Sequence, residues 1–242
     1  GEYLFSAKFS FGSGVKFTNR EYTGSQAVNY ADRDRTTLPF DLYYELTPKV
    51  DLSVGYEYSY TNVSDVATNT DNTAYNSDAH FINVGARGDL LPKLSGSIKL
   101  GFRFIDSEFS ANNKRDNSSV GLDGSLNWQS TPKLNNAVIF SRDFGSTSDG
   151  TRIEETAFNV NSSLMLTQQL QAGASLGYTL KEYLDKDRED GFFTIGFNTS
   201  YQANDYCTVS SAYSFSKNNS DLASGASDFD NNKVDIKVSL RY

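Results

Sequence analysis

Residues 234–242 read Val-Asp-Ile-Lys-Val-Ser-Leu-Arg-Tyr, and this stretch decides the fold. The apolar residues Val234, Ile236, Val238 and Leu240 alternate with polar or charged ones, and the stretch ends on a tyrosine. A period of two places alternate side chains on opposite faces of a β-strand. The stretch therefore predicts a strand that has one apolar face and one polar face and that stops on an aromatic residue.

The same alternation recurs along the rest of the chain and predicts about twelve strands. We expect them at residues 3–18, 36–46, 50–61, 80–90, 94–104, 120–128, 134–144, 155–166, 170–180, 193–201, 207–215 and 234–242. Short turns alternate with long polar loops, and Pro48, Pro92 and Pro132 lie in the turns, where proline pre-sets the backbone angle. Pro39 falls inside a strand and predicts a bulge.

The composition excludes several classes of protein. The 242 residues are 38% hydrophobic, below the roughly 45–50% of a packed globular protein, yet 14% are aromatic. This combination fits a barrel with one apolar band and a polar lumen. A net charge of −8 disfavours nucleic-acid binding. No stretch approaches the ~20 apolar residues of a membrane helix, and a single cysteine excludes an intrachain disulfide framework.

Four features favour a membrane barrel over a soluble sandwich. The strand number is even with both chain ends on the short-turn side, and the loops differ in length between the two sides. The strands run about 10–13 residues, against about 5–6 in globular sheets. Aromatic residues also gather on the apolar face near the two ends of the strands, as at a membrane boundary. The interface residues are Phe17, Tyr58, Tyr60, Phe104, Phe144, Tyr178, Phe193 and Tyr213 on the long-loop side, and Trp128 and Tyr242 on the other.

With its ending Val238-x-Leu240-x-Tyr242, the whole chain resembles bacterial outer-membrane β-barrels, and it is similar to the porin families known from sequence. The resemblance implies one barrel domain over residues 1–242, or the C-terminal barrel of a longer chain, whose first and last strands pair. It implies a Gram-negative outer membrane with lipid and lipopolysaccharide around the barrel. The chain ends would be periplasmic and the long loops extracellular. The barrel assembly machinery would read the terminal motif.

Strand parity assigns the residues that face the lumen. The charged candidates are Lys8, Lys16, Asp41, Glu45, Asp51, Glu57, Arg87, Asp89, Lys99, Arg103, Asp123 and Lys237, whereas the ninth to eleventh strands offer small neutral residues. Two interpretations remain open. The charges either pair across neighbouring strands and hold the wall together, or they create a field across a water-filled pore. Mixed signs predict weak ion selectivity, and replacing Lys8 and Lys99 by Glu should shift it towards cations.

Catalytic and metal-binding chemistry finds little support in the sequence. The only histidine, His80, has outward parity, so a serine nucleophile lacks a general base and no enzyme is predicted. The loop at residues 185–191 resembles a calcium loop, but its glycine falls one place late and two bases interrupt its carboxylates. We interpret that loop as solvated and Cys207 as a small apolar residue facing lipid. Neither a metal nor a cofactor is predicted.

The expected function is passive diffusion of small hydrophilic solutes or ions through a narrow lumen of mixed charge. The alternative is a structural or interaction barrel. In that case the lumen is closed by salt bridges or by an inward-folded loop, and the long loops bind a partner or a surface polymer.

Overall fold

The computed structural model describes residues 1–24, 27–64, 66, 74–109, 113–221 and 228–241. These residues form one sheet of 14 strands and a 3-10 turn at Ala27–Asn29. The strands are β1 (Glu2–Leu4), β2 (Phe9–Ser13), β3 (Lys16–Arg20), β4 (Arg33–Thr47), β5 (Val50–Val63), β6 (Tyr75–Leu91), β7 (Leu94–Phe109), β8 (Asn113–Thr131), β9 (Leu134–Ser146), β10 (Arg152–Met165), β11 (Leu170–Tyr183), β12 (Glu189–Asn204), β13 (Cys207–Ser220) and β14 (Phe229–Leu240). No helix in these ranges is long and apolar enough to span a membrane.

The strands follow one another antiparallel from β4 to β14, each paired with the next. The prediction of an all-β, up-and-down fold is therefore confirmed. Most strands extend beyond their predicted ends on the long-loop side: the β7–β8 ladder continues through Ser107↔Arg115 to Phe109↔Asn113. Backbone pairing carries on there through polar residues, where apolar alternation no longer signals a strand.

The first predicted strand, at residues 3–18, is divided into three. β1 folds back on β2, and β2 and β3 lie end to end beside β4. The break between β2 and β3 lies opposite Pro39, which has no N–H to donate to that side of the ladder. The β4–β5 register runs through Pro39↔Glu57 without a shift, so the predicted bulge at Pro39 is wrong. The division of the first strand accounts for 14 strands where about twelve were expected.

The described sheet is open. Its order runs from β1 at one edge to β14 at the other, and no ladder among the described residues joins the two edges. The predicted pairing of the first and last strands is therefore absent from the described ladders. Every residue of β14 is exposed.

Threonine side chains stabilise the short turns. In three of them, the hydroxyl of the threonine that opens the turn accepts hydrogen bonds from the backbone N–H groups two and three residues later, at 3.0–3.3 Å. These residues are Thr47, Thr131 and Thr167. Such a bond mimics a backbone turn and leaves proline free to occupy the next position after Thr47 and Thr131.

One ladder is shorter than its neighbours. The pairing of β8 with β9 ends at Leu122↔Arg142, whereas β8 pairs with β7 as far as Asn113. The upper part of β9, towards the long loops, therefore leaves β8 while it stays paired with β10. This separation positions the residues of the candidate site.

Candidate functional site on the inner face of β4 to β9

Burial distinguishes the two faces of the sheet. On β4 and β5 the buried side chains are polar, as at Asp41 and Ser59, apart from Val63 at the end of β5, and they alternate with exposed apolar ones such as Leu42 and Val54. We call the face that carries Asp41 the inner face. An apolar outer face and a polar inner face are typical of a barrel that meets lipid outside and water inside.

One ion pair on this face joins two strands that have two other strands between them. Lys99 on β7 donates from Nζ to both carboxylate oxygens of Asp41 on β4, at 2.7 and 2.8 Å, across β5 and β6. Gly55 and Gly85 lie beneath: a Cβ on Gly55 would collide with the Asp41 carboxylate, and one on Gly85 would lie 3.2 Å from Lys99 Cγ. The two glycines therefore let the pair lie flat against the wall.

Arg103 on β7 is the centre of the largest charge cluster. Arg103 is 4% exposed, and its guanidinium contacts three carboxylates. One Nη donates to Asp123 on β8, and the other lies 3.2 Å from Asp143 on β9 and 3.7 Å from Glu57 on β5. Its Cζ also lies 3.7 Å from the centre of the Phe81 ring. The stacking and the three anions stabilise a cation that would otherwise be costly to bury.

Arginines also donate hydrogen bonds to backbone carbonyl groups along the free edge of β9. Above the point where β9 leaves β8, its carbonyls on that side have no backbone partner from β8. Three inner-face arginines donate to them instead. The bonds are 3.0 Å from Arg103 Nε to the Arg142 oxygen, 3.3 Å from Arg35 Nη1 to the Phe144 oxygen and 3.3 Å from Arg33 Nη1 to the Ser146 oxygen. β9 is thereby held to β4 and β7.

This geometry corrects the assignment of Phe144 as an interface aromatic. Phe144 is 4% exposed and lies among inner-face residues that include Tyr75, Ile105 and Arg35. Its parity along β9 is outward, as predicted. The upper part of β9 has moved off β8 and over the inner face of the neighbouring strands, so a side chain of outward parity there becomes buried.

Further ion pairs lie at the two ends of the inner face. Near the short turns, Arg87 contacts Asp51 at 2.9 Å and Glu2 of β1 at 2.7 Å, and its guanidinium lies 3.4 Å from the centre of the Tyr43 ring. Glu2 reaches Arg87 because β1 folds back beside β2. The lower end of the cluster is thus tied to the first edge of the sheet.

Near the long loops, Asp185 lies between two arginines. Arg152, which is 2% exposed, donates to both of its carboxylate oxygens at 2.8 and 3.0 Å, and Arg115 donates to one of them. Asp185 lies in the loop between β11 and β12, outside the strands. Burial alone would raise its pKa, but the hydrogen bonds from Arg152 and Arg115 outweigh burial and hold the pKa below its usual range. Asp185 therefore stays ionised to unusually low pH.

The structure brings most of the predicted lumen residues together. Asp41, Glu57, Lys99, Arg103 and Asp123 form the central cluster, and Asp51 and Arg87 lie below it. Two others lie apart from the cluster in the described residues. Asp89 is 3.7 Å from Lys49 on the exposed turn side, and Lys237 is exposed on the edge strand β14.

Three predicted residues need separate comment. Lys8 is not on a strand but in the turn between β1 and β2, with Nζ 5.8 Å from the centre of the outward-facing Tyr44 ring, so its lumen assignment is corrected. Lys16, on β3, lines the upper cavity described below. Glu45 lies directly opposite Asp51 on the inner face.

The remaining interface aromatics lie mostly on the outer face. Phe17, Tyr60, Phe104, Trp128, Tyr178 and Tyr213 are between 39% and 66% exposed, and Tyr58 and Phe193 are half-buried. Of the terminal motif, Val238 and Leu240 are exposed on β14, and Tyr242 lies outside the described residues. His80 lies outward, as its parity predicts, with its Nδ1 2.8 Å from the hydroxyl of Tyr56.

Sequence reasoning missed several members of the cluster. Arg35 was assigned to a loop, because the apolar alternation of the second strand begins only at residue 36. Asp143 has inner parity on a predicted strand, so the signal for it was present. Arg152 was missed because it was assigned to the loop before the predicted strand at residues 155–166, whereas β10 begins at Arg152.

One cavity adjoins the cluster, and a second lies apart from it at the short turns. The first, of about 350 Å³, lies towards the long loops and is lined by Lys16, Arg33, Arg35 and the Arg103 group. The second, of about 610 Å³, lies among the short turns beside Lys49 and Asp89. Within the ranges that the structure describes, no group of three or more His, Cys, Asp or Glu residues is arranged to hold a metal ion.

A long-stranded antiparallel sheet with an apolar outer face and a charged inner face defines an outer-membrane β-barrel protein. The model of the family described as putative beta-barrel porin 2 matches residues 6–242, and the chain belongs to this family. It is a family of porin-like barrels and not of enzymes, in agreement with the prediction that the chain is not an enzyme. Comparison with curated proteins gives no match.

Solved outer-membrane proteins share the fold. The FrpB iron transporter from Neisseria meningitidis (F5-1 variant) matches with a TM-score of 0.59 and 9% identity over 87% of this chain and 41% of that chain. The outer membrane channel DcaP of Acinetobacter baumannii matches with a TM-score of 0.53 and 10% identity over 96% of this chain and 71% of that chain. The chain thus spans about two-fifths of the length of FrpB.

Proposed function

We propose that this protein is a channel of the outer membrane that lets small hydrophilic solutes or ions diffuse passively along its inner face. One observation carries the proposal: charged and polar side chains follow the inner face from Arg87 near the short turns to Arg152 near the long loops. The opposite face carries exposed apolar side chains over the same strands. Water and ions can follow the first surface, and lipid can cover the second.

The proposal includes a complete barrel around this path. An open sheet edge cannot face lipid, because its backbone groups would have no partners. We therefore infer that the edge formed by β1 and β3 and the edge formed by β14 close the wall in the membrane, either with each other as a single domain or through further strands. The predicted orientation, with periplasmic chain ends and extracellular long loops, belongs to the same proposal. So do contacts with lipopolysaccharide and with the barrel assembly machinery.

Within the proposed channel, the central cluster borders the path of the solute. Lys99 pairs with Asp41, and Arg103 and Arg35 face three carboxylates, so three cations meet four anions and one negative charge remains. Nearly compensated charge supports weak ion selectivity, because little net field remains along this part of the wall.

The experiment is reconstitution of the folded protein into a planar bilayer under a salt gradient. Folding is first established by heat-modifiable migration on a gel. We expect discrete, long-lived conductance steps, and a reversal potential that moves towards cation preference in Lys99→Glu. Lys114→Glu is a matched control, because Lys114 is exposed and has outward parity on β8. Folded protein without conductance steps would contradict the proposal.

The interior contacts support a second candidate, a barrel whose lumen is closed. Arg33, Arg35 and Arg103 hold the upper part of β9 over the inner face, and this geometry supports closure by salt bridges or by an inward-folded segment. In that case the long loops would bind a partner or a surface polymer. The bilayer experiment separates the two candidates, because a closed barrel that is fully folded would give no steps, and Arg35→Gln would open it.

A further inference from the structure

Uncompensated positive charge collects at one place on the inner face. β3 pairs with β4 so that Arg20 lies directly opposite Arg33. Side chains directly opposite one another in an antiparallel pair lie on the same face, and like charges there are destabilising. Arg33 faces inward, since it donates to Ser146 across the interior. Two arginines therefore face each other on the inner wall.

Lys16 adds a third cation to this surface. It lies opposite Thr37, an inward-facing and buried residue, so it shares the face of Arg20 and Arg33. Together with Arg33 it lines the cavity of about 350 Å³. Thr18, between Lys16 and Arg20 on the same face, lines that cavity too and offers a hydroxyl.

The nearby carboxylates do not neutralise these cations. Glu57, Asp123 and Asp143 all lie within 4.0 Å of Arg103, so their charge is directed to the lower side of the cavity. Asp34 has outward parity and accepts a hydrogen bond from Asn19 at 2.7 Å. Across the described ranges, neither Lys16, Arg20 nor Arg33 has a carboxylate within ion-pair distance.

We propose that Lys16, Arg20 and Arg33, with Thr18, form a binding site for an oxyanion, a phosphate or carboxylate group carried by a small solute. An anion between Arg20 and Arg33 converts their repulsion into two charge-assisted contacts, and guanidinium groups suit the geometry of oxyanions. The inference deepens the proposed function, since it adds an anion-binding step at the long-loop end of an otherwise compensated path.

The site can be tested without any conductance measurement. Inorganic phosphate is titrated with the folded full chain in detergent, and the 31P line width reports weak binding. We expect broadening with the wild type and with Lys114→Gln, and a loss of affinity of about tenfold in the double variant Arg20→Gln/Arg33→Gln. Equal broadening in all three proteins, or none with the wild type, would overturn the assignment.

A second readout separates a binding role from a structural one. Phosphate that binds only the folded state raises the unfolding midpoint of the wild type. Without phosphate, Arg20→Gln should be at least as stable as the wild type because the repulsion is relieved, and phosphate should raise its midpoint less. The site would be contradicted if Arg20→Gln is clearly less stable than the wild type without phosphate and phosphate still raises its unfolding midpoint by the full amount. If the double variant does not fold, Lys16→Gln replaces it with the same expectations.

The two proposals fail in different ways. Broadening of the 31P line without conductance steps would support the oxyanion site and contradict the channel. Conductance steps without 31P broadening would support the channel and contradict the site. If both hold, phosphate should reduce the chloride current of the wild type and leave that of Arg20→Gln/Arg33→Gln unchanged.

Discussion

The two halves of the sheet use their inner faces differently. From β4 to β9, long charged side chains lie among the inner residues, and contacts such as Lys99–Asp41 and Arg35–Asp143 connect strands that are not neighbours. From β11 to β13 most inner side chains are short and neutral, and contacts such as Ser200–Ser210 join adjacent strands only. β14 adds exposed charged residues of inner parity such as Lys237. Long charged side chains can therefore fix the curvature of a wall, whereas short ones only line it.

Burial follows the same division. The large side chains that are most buried, such as Phe81 and Val63, belong to the first half, while β14 is exposed throughout. A buried ion pair costs desolvation energy, and removal of one partner exposes that cost. The comparison thus predicts large effects of single substitutions in the first half and small ones in the second.

Arg103→Ala should have the largest effect. It leaves Asp123, Asp143 and Glu57 together without their shared cation and removes the bond to the β9 edge. We expect the free energy of unfolding to fall by about 3–5 kcal/mol. Urea unfolding in lipid vesicles, followed by the fluorescence of Trp128, measures it.

The matched control for Arg103 lies in the second half. Lys237→Ala removes a cation of inner parity from β14, where it is exposed. Its unfolding midpoint should match that of the wild type. A loss in Lys237→Ala as large as that in Arg103→Ala would refute the distinction between the halves.

Asp185→Ala should cause the next largest loss of stability, and this loss should depend on pH. It leaves Arg152 buried without its carboxylate, at a cost of about 3 kcal/mol at neutral pH. The pKa of Asp185 is held below its usual value, so its stabilising contribution is complete above the unfolded-state pKa of about 4 and is lost as the pH falls through the lower, folded-state pKa. The difference between wild type and variant should therefore shrink at about pH 3.

That experiment compares thermal unfolding midpoints at neutral and acidic pH. Glu189→Ala, a change of an exposed carboxylate that begins β12, serves as the control for a general charge effect. A difference that stays constant across the pH range would show that Asp185 acts by packing and not by its charge.

The sequence predicted the class of the fold well because the signal is repeated. Every strand from β4 to β14 contains its predicted stretch except at the ends of β10 and β14, since alternation requires only that one face meet an apolar medium and the other a polar one. The inner positions of Asp41, Lys99 and Arg103 followed from the same parity. No part of that argument depends on which strands come close in space.

The failures arise where strands meet out of order. Lys8 was placed in the lumen because the turn between β1 and β2 is not visible in an alternating sequence. Phe144 was placed outward because parity is meaningful only while a strand stays in its sheet. Neither the separation of β9 from β8 nor the arginines that hold its edge leave a local signal, since the contacts join residues 39 to 113 positions apart.

Gly55→Ala tests how closely the Lys99–Asp41 ion pair lies against the wall. An added Cβ would collide with the Asp41 carboxylate, which Lys99 holds in place. We expect a loss of about 1–3 kcal/mol, as for an overpacked interior. Urea unfolding measures this loss, and Gly196→Ala is its counterpart in the second half.

In Gly196→Ala, the added Cβ would meet a side chain that can move away. A Cβ on Gly196 would lie 2.5 Å from the Ser175 hydroxyl oxygen, which can rotate away because no ion pair fixes it. The loss should be below about 1 kcal/mol. If Gly196→Ala costs as much as Gly55→Ala, the wall of the second half is as tightly packed as that of the first.

Lys237→Glu should have the smallest effect on stability and still change conduction. Its side chain is exposed on β14, so reversal of its charge breaks no buried contact. The proposed pore places it on the inner wall opposite the compensated cluster, where no described carboxylate pairs with it, so the reversal potential should shift towards cations. The measurement is a planar bilayer under a salt gradient, with Lys217→Glu as control because Lys217 is exposed and has outward parity on β13. A shift with unchanged unfolding would mean that the second half sets selectivity while the first half sets stability. An unchanged reversal potential would mean that the compensated half alone borders the solute.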